Sequence, residues 1–196
     1  TSSLNGLDVN SEDGVIVADI GFGRFDHHGA KAKIREDGGK HCAATLLWER
    51  FGIEAVQNRY PTLDVFEADK VANVVMKKLL YTIANGDNGL YSPDFTINVA
   101  IAQFNPLWDD VCPHAADVRF CQALQFMETV LNNTMEGCLA EMRATSVVNE
   151  AIHNSTDGIV ILERFAPWKA TVCANKDTKA VVFPSARGGW SLQLVP

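Results

Sequence analysis

The sequence predicts a mixed α/β protein in three parts: a parallel-sheet portion over residues 1–112 whose sheet is cut short, a long connecting helix over 113–154, and a small β-rich portion over 155–196. Three observations carry this reading. Val15-Ile16-Val17-Ala18-Asp19 has the apolar run of a buried strand ending on an acidic residue. A helical apolar repeat is then sustained from about Ala115 to His153. Beyond Asn154 the pattern changes to period two and to short apolar runs. No internal repeat is visible.

In chain order, Gly21 and Gly23 follow the first strand and permit a sharp turn. A polar loop from Ala30 to Lys40 comes next. A helix is predicted from about His41 to Phe51, with Ala44, Leu47, Trp48 and Phe51 on one face and Gly52 as its stop. A second helix spans roughly Leu63 to Ala84. Val71, Val74, Val75, Leu79 and Ile83 line its apolar face, and Asp64, Glu67 and Asp69 sit near its amino end. It finishes in Asn85-Gly86-Asp87-Asn88-Gly89, residues that tolerate left-handed backbone. Thr96 to Phe104 is a short helix closed by Asn105-Pro106. The long helix carries Val118, Cys121, Leu124, Leu131, Cys138, Leu139, Met142 and Ile152 on its stripe. Gly158–Glu163, Ala170–Ala174, Ala180–Phe183 and Trp190–Val195 are then expected to form an antiparallel meander.

Composition excludes several functions. A chain of 196 residues can bury one good core and a small further subdomain. Net charge is -7 and no Lys/Arg run exceeds two residues, so the electrostatic footprint of a long-duplex binder is absent. No apolar run approaches the length of a membrane span, and no signal-peptide pattern occurs. The 5 cysteines are odd in number and widely spread, with no Cys-x-x-Cys spacing. They argue against a disulfide framework and for a reducing, cytoplasmic setting. Cys121 and Cys138 are expected to pack in the core. The chain opens on Thr1 with its first strand close behind, as an excised piece of a longer protein would.

The chemistry concentrates in Asp26-His27-His28-Gly29, just past Asp19. A carboxylate beside two imidazoles places three groups that bind metals or move protons in one turn. Ligands in open α/β sheets sit at the carboxyl ends of strands, so Asp19 is placed to share that site. Adjacent histidines also occur in surface loops, and an acid after a strand is often a turn former. The complete segment Asp19-Ile20-Gly21-Phe22-Gly23-Arg24-Phe25-Asp26-His27-His28-Gly29 is more specific. It resembles the signature of the DHH phosphoesterases, which hydrolyse phosphodiesters or pyrophosphate with paired divalent metals. Further segments follow in the expected order: Lys40 to Gly52, Asp87-Asn88-Gly89, Phe104-Asn105-Pro106-Leu107-Trp108, and Ala166-Pro167-Trp168-Lys169. Together they resemble the family of the melanocyte proliferating gene product, whose characterised members are 3′–5′ RNA exonucleases.

The resemblance implies a role for each matched residue. Asp19, His27 and Asp87 would be metal ligands, for Mn²⁺ or Mg²⁺ and for two ions together. Oxygen-rich sites suit both ions, imidazole suits Mn²⁺, and ions roughly 3.5–4 Å apart can clamp a phosphate for in-line attack. His28 would face the substrate phosphate, and Asp26 would orient the histidine pair. The expected substrate is short single-stranded RNA or an oligonucleotide, with no membrane partner and a homo-oligomer left open. Arg187, before Gly188-Gly189, resembles part of a Gly-rich substrate loop, although a hairpin turn explains those residues without function and is the reading to prefer. His41 is expected to cap or pack, and His114 and His153 to lie at the surface. Trp108 and Trp168 are read as core or interface anchors before base-stacking platforms.

The family places a His- and Asp-rich first motif ahead of the segments matched here, and a Gly-rich segment after the last strand. The alternative function is therefore a catalytically incomplete fragment serving as a nucleotide-binding or oligomerisation module. Peptide hydrolysis has no support, because neither His-Glu-x-x-His nor an activated Ser or Cys arrangement is present.

Overall fold

The computed structural model describes residues 15–29, 32–90 and 96–195; Thr1, the start of the Ala30–Lys40 loop and Pro196 lie outside them. The fold is mixed α/β, with six α-helices and three strands among the described residues. The chain divides into two compact units, Thr1–Met135 and Glu136–Pro196, and the division falls within one helix.

Helices build the first unit. Helix α1 (Ala43–Arg59) starts where the Cys42 N–H donates to Thr45 Oγ1 at 2.9 Å and that hydroxyl returns a bond to the Cys42 carbonyl at 2.8 Å. It runs straight through Gly52, which the sequence marks as a stop. Gly52 is buried, and a Cβ there would come within 2.9 Å of the Trp48 indole. The bare backbone makes room for Trp48 to reach α2 (Val65–Val75), where its Nε1–H donates to the Ala72 carbonyl at 2.9 Å. Close approach, and not termination, explains this glycine.

The second predicted helix forms in three continuous pieces: α2, a π-helical segment over Met76–Leu80, and α3 (Tyr81–Asp87). Asp64 and Glu67 start it with a reciprocal capping box, at 2.8 and 3.1 Å. The apolar face carries Ala68, Val71, Ala72, Val75, Leu79, Leu80 and Ala84 into the core with Leu46 and Val56 of α1. The far end of the path delivers Asp87. Helix α4 (Ile97–Ala102) follows, close to prediction.

The first predicted strand is not a strand. Val15 and Ile16 are 52% and 59% exposed, and among the described residues the run pairs only through one isolated bridge, Ala18 to Phe25. A strand is held by the N–H and C=O groups of its neighbours, and this run has no regular neighbour among the described residues. The regular sheet lies in the second unit instead.

The long helix α5 (Ala115–His153) matches its prediction end to end. Cys138 is buried, but Cys121 on the same stripe is exposed beside the equally exposed Val118 and Leu124. Among the described residues no helix is long and apolar enough to cross a membrane.

The expected meander is also revised. Strand β1 (Ile159–Ile161) pairs parallel with β2 (Ala180–Pro184), and only β2 with β3 (Trp190–Leu194) is antiparallel. Parallel neighbours require a crossover, and Ala170–Ala174, expected as a strand, supplies it as the short helix α6 (Lys169–Cys173). A five-residue apolar run is ambiguous between strand and helix by pattern alone. Val160, Val181 and Phe183 pack with Leu162, Trp168, Val172 and Val148 of α5 into one core. Trp168 is thus a core residue, while Trp108 is 96% exposed. The outward sheet positions Ile159, Ile161, Leu192, Leu194 and Trp190 are all apolar and exposed.

Candidate metal centre

A tight loop folds Asp19 back onto Asp26–His28. The Asp19 N–H donates to the Phe25 carbonyl at 3.1 Å, and the Asp26 N–H to the Gly23 carbonyl at 3.2 Å. Gly21 takes φ 81°, as the sequence expects of a glycine, but Asp19 and Phe22 are left-handed too, at φ 65° and 56°. Aspartate tolerates this conformation and phenylalanine does not. Phe22 is held there by its N–H, which donates to Asp26 Oδ2 at 2.7 Å.

Asp26 is the hub of the turn. Its side chain is only 2% exposed. Oδ1 accepts the His28 N–H at 2.9 Å and the His28 Nδ1–H at 2.7 Å. Burial opposes its charge, yet the bonds from the His28 and Phe22 N–H groups and from the His28 ring hold its carboxyl below the usual range. In return the hydrogen bond to Asp26 raises the pKa of His28, whose exposed ring is stabilised as a cation. Asp26 therefore orients His28 directly, and the His28 ring in turn lies edge-on to the His27 ring, 4.2 Å between centroids.

His27 is buried and points elsewhere. Its Nδ1 lies 3.1 Å from the His41 carbonyl, an acceptor only, so Nδ1 carries a proton. Nε2 faces Asp19, with Oδ1 at 3.2 Å, and a cation between the two would take a lone pair from each. This is the way a metal-ligating histidine is commonly prepared, with the far nitrogen anchored to a carbonyl. The distance also fits: neighbouring ligands on an octahedral ion with bonds of about 2.1 Å lie about 3 Å apart. One ligand atom each from Asp19, His27 and His28 lies within 4.8 Å of the others. His28, its Nδ1 taken by Asp26, stands beside the Asp19–His27 pair, and a carboxylate with an imidazole suits Mn²⁺.

Asp87 meets the same ring from the other side. Its Oδ2 is 3.4 Å from Nδ1, so here it backs the histidine and stands outside the Asp19–His27–His28 group. His41, expected to cap or pack, is buried; its carbonyl orients His27, its Nδ1 lies 3.1 Å from Thr45 Oγ1, and burial lowers its pKa. Asn88, matched only as part of Asp87-Asn88-Gly89 and given no role there, and Arg35 frame this side of the site. The bonds of Asn88 go to backbone carbonyls, which leave no mark on a residue pattern, and Arg35 reaches Tyr81 and Asn85 across 46 and 50 residues.

Arg187 lies in the second unit, in the turn between β2 and β3. Ser185 N–H bonds to the Gly189 carbonyl at 2.9 Å and Gly188 N–H to the Ser185 carbonyl at 3.0 Å, while Arg187 N–H donates to Ser185 Oγ at 3.2 Å. His114 is exposed with Asp117 3.8 Å away, and His153 is exposed at the end of α5.

Fold and site together define a mixed α/β protein with a His–Asp cluster in its helical unit that could hold a metal ion. Residues 10–196 match the model of the family MYG1_exonuc, described as Uncharacterised protein family (UPF0160), and the chain belongs to that family. The family label points to an exonuclease-type activity. No curated protein and no solved structure matches the chain. The family resemblance drawn from Asp26-His27-His28 and the segments after it is borne out over nearly the whole chain.

Proposed function

We propose that this chain carries the metal-binding portion of a DHH-type phosphodiesterase that trims short single-stranded RNA from its 3′ end. The observation that carries this reading is that His27 Nε2 and the Asp19 carboxylate face each other 3.2 Å apart, beside a His28 ring held by Asp26. Asp19 and His27 would hold Mn²⁺ or Mg²⁺, and Asp87, exposed beside the same ring, is the further carboxylate for a second ion. When bound, such ions supply Lewis-acid activation of the phosphate and of the attacking water.

The chain's own residues do the rest. His28, favoured as a cation by Asp26, offers its outer nitrogen to a phosphate oxygen and can return a proton to the leaving oxygen. Asp26 keeps that ring in one tautomer and one orientation. A net charge of -7 gives little counterion release, so long duplexes should bind poorly and substrate should be held locally at one scissile phosphate. Arg187 remains a candidate for a substrate phosphate.

The test is a panel of end-labelled oligonucleotides, single-stranded and duplex, with Mn²⁺ or Mg²⁺ and with chelator. Stepwise loss of 3′-terminal nucleotides from short RNA, abolished by chelator, is expected. Internal cutting of duplex DNA, or activity that survives chelation, would refute the exonuclease reading. A second reading is favoured by the small number of groups that converge among the described residues: an incomplete site that binds one ion without turnover. Mn²⁺ binding at one per chain with no trimming would select it.

A further inference from the structure

We propose that Asn88 and Arg35 set the metal affinity of the site as positioning residues, by fixing the His41 carbonyl that orients His27. The proposal rests on the metal-centre reading above and adds to it residues to which the motif reading gives no role.

The His41 oxygen is a shared acceptor. His27 Nδ1 donates to it at 3.1 Å, and so does Asn88 Nδ2, also at 3.1 Å. A carbonyl has two lone pairs, and both are used. Asn88 is itself pinned to the end of α3 by a second bond, from Nδ2 to the Ala84 carbonyl at 2.8 Å. The oxygen that decides which His27 nitrogen carries the proton is thus tied to the helix end that carries Asp87.

Arg35 ties down the loop that leads to that carbonyl. The loop closes through Arg35 N–H to the Gly39 carbonyl at 2.8 Å and His41 N–H to the Lys33 carbonyl at 3.1 Å. The Arg35 side chain is 2% exposed. Its guanidinium donates to Asp37 Oδ1 and Oδ2 at 2.9 and 3.0 Å, to the Tyr81 carbonyl at 3.2 Å, and to Asn85 Oδ1 at 2.7 Å. It also lies over the Tyr81 ring, 4.4 Å from its centroid. Tyr81 and Asn85 both belong to α3. Gly39 is part of the same device, because a Cβ there would fall 2.0 Å from Arg35 Nη2. A planar fork with five donors can make this set of bonds, and an ammonium cannot. Loop and helix are therefore clamped together where both meet His27 Nδ1, one through the His41 carbonyl and the other through Asp87.

The experiment measures Mn²⁺ binding by titration calorimetry on the full chain, with the metal-free unfolding midpoint recorded for every variant. Asn88→Asp preserves shape, removes the donor and adds a negative charge beside the cation. Simple attraction would tighten Mn²⁺ binding, whereas loss of the brace should raise the dissociation constant roughly 10–100-fold. Arg35→Lys keeps the charge but loses the fork and should shift affinity in the same direction. Should Asn88→Asp fail to fold, Arg35→Lys decides alone. His27→Ala, run alongside, separates the two levels of the argument. If it binds Mn²⁺ like the wild type, the metal centre itself is misplaced and the proposal falls with it. If His27→Ala loses Mn²⁺ while both positioning variants retain wild-type affinity, the proposal is overturned and the metal centre stands.

Discussion

Replacing His27 by alanine should abolish most of the stabilisation that Mn²⁺ confers on the folded chain. A ligand that binds only the folded state at 100 times its dissociation constant contributes about 2.7 kcal/mol. For a chain of this size each kcal/mol moves the midpoint by about 2–4 °C, so wild-type protein should gain about 5–11 °C on saturation. His27→Ala removes the Nε2 that faces Asp19 at 3.2 Å. If affinity falls about 100-fold, the same Mn²⁺ concentration leaves only about 0.4 kcal/mol, a shift of about 1 °C. The variant is also destabilised without metal. His27 is buried, so truncation opens a cavity and leaves the His41 carbonyl with Asn88 as its remaining described donor. That cost is about 2–4 kcal/mol. The readout is therefore the metal-dependent shift within each variant, measured by differential scanning calorimetry across a Mn²⁺ titration. An undiminished shift in His27→Ala would refute the reasoning.

His28→Ala should keep the Mn²⁺-dependent shift while any trimming rate falls about 10²–10⁴-fold, as expected for loss of a proton-transferring group; single-turnover kinetics on labelled RNA checks this. Asp37 should contribute acid-sensitive stability. Its hydrogen bond to Arg35 lowers its folded pKa, so the folded state binds fewer protons than the unfolded one. The contribution is present above the unfolded value of about 3.9 and lost as pH falls through the folded value. Urea midpoints should accordingly separate wild type from Asp37→Asn at pH 6 and converge at pH 2. Gly52→Ala should destabilise by about 1–3 kcal/mol despite alanine's better helix propensity, because the new Cβ would crowd the Trp48 indole at 2.9 Å; an unchanged or raised urea midpoint would count against the packing role.

How much was legible in the sequence follows from where each signal resides. Asp26, His27 and His28 are contiguous, so their juxtaposition needs no tertiary information. Asp19 is brought back by a turn that Gly21 announces. Helix α5 was readable from end to end because 39 residues of apolar repeat outweigh any local ambiguity. Val15–Asp19 misled because an apolar run specifies burial only if a partner exists to bury it, and among the described residues only Ala18 finds a bridge. Lys169–Cys173 misled because five residues are too few for period to tell strand from helix. The framing of His27 stayed hidden for a different reason. The His41, Ala84 and Tyr81 carbonyls that organise it are backbone groups, and every residue carries one.

The most direct test of the metal centre is anomalous diffraction at the manganese edge from crystals soaked in Mn²⁺. A peak is predicted within about 2–2.5 Å of both His27 Nε2 and an Asp19 carboxylate oxygen, with His27 Nδ1 still bonded to the His41 carbonyl. Crystals that diffract well yet show no peak beside that pair, or that place the ion against other residues, would contradict the account.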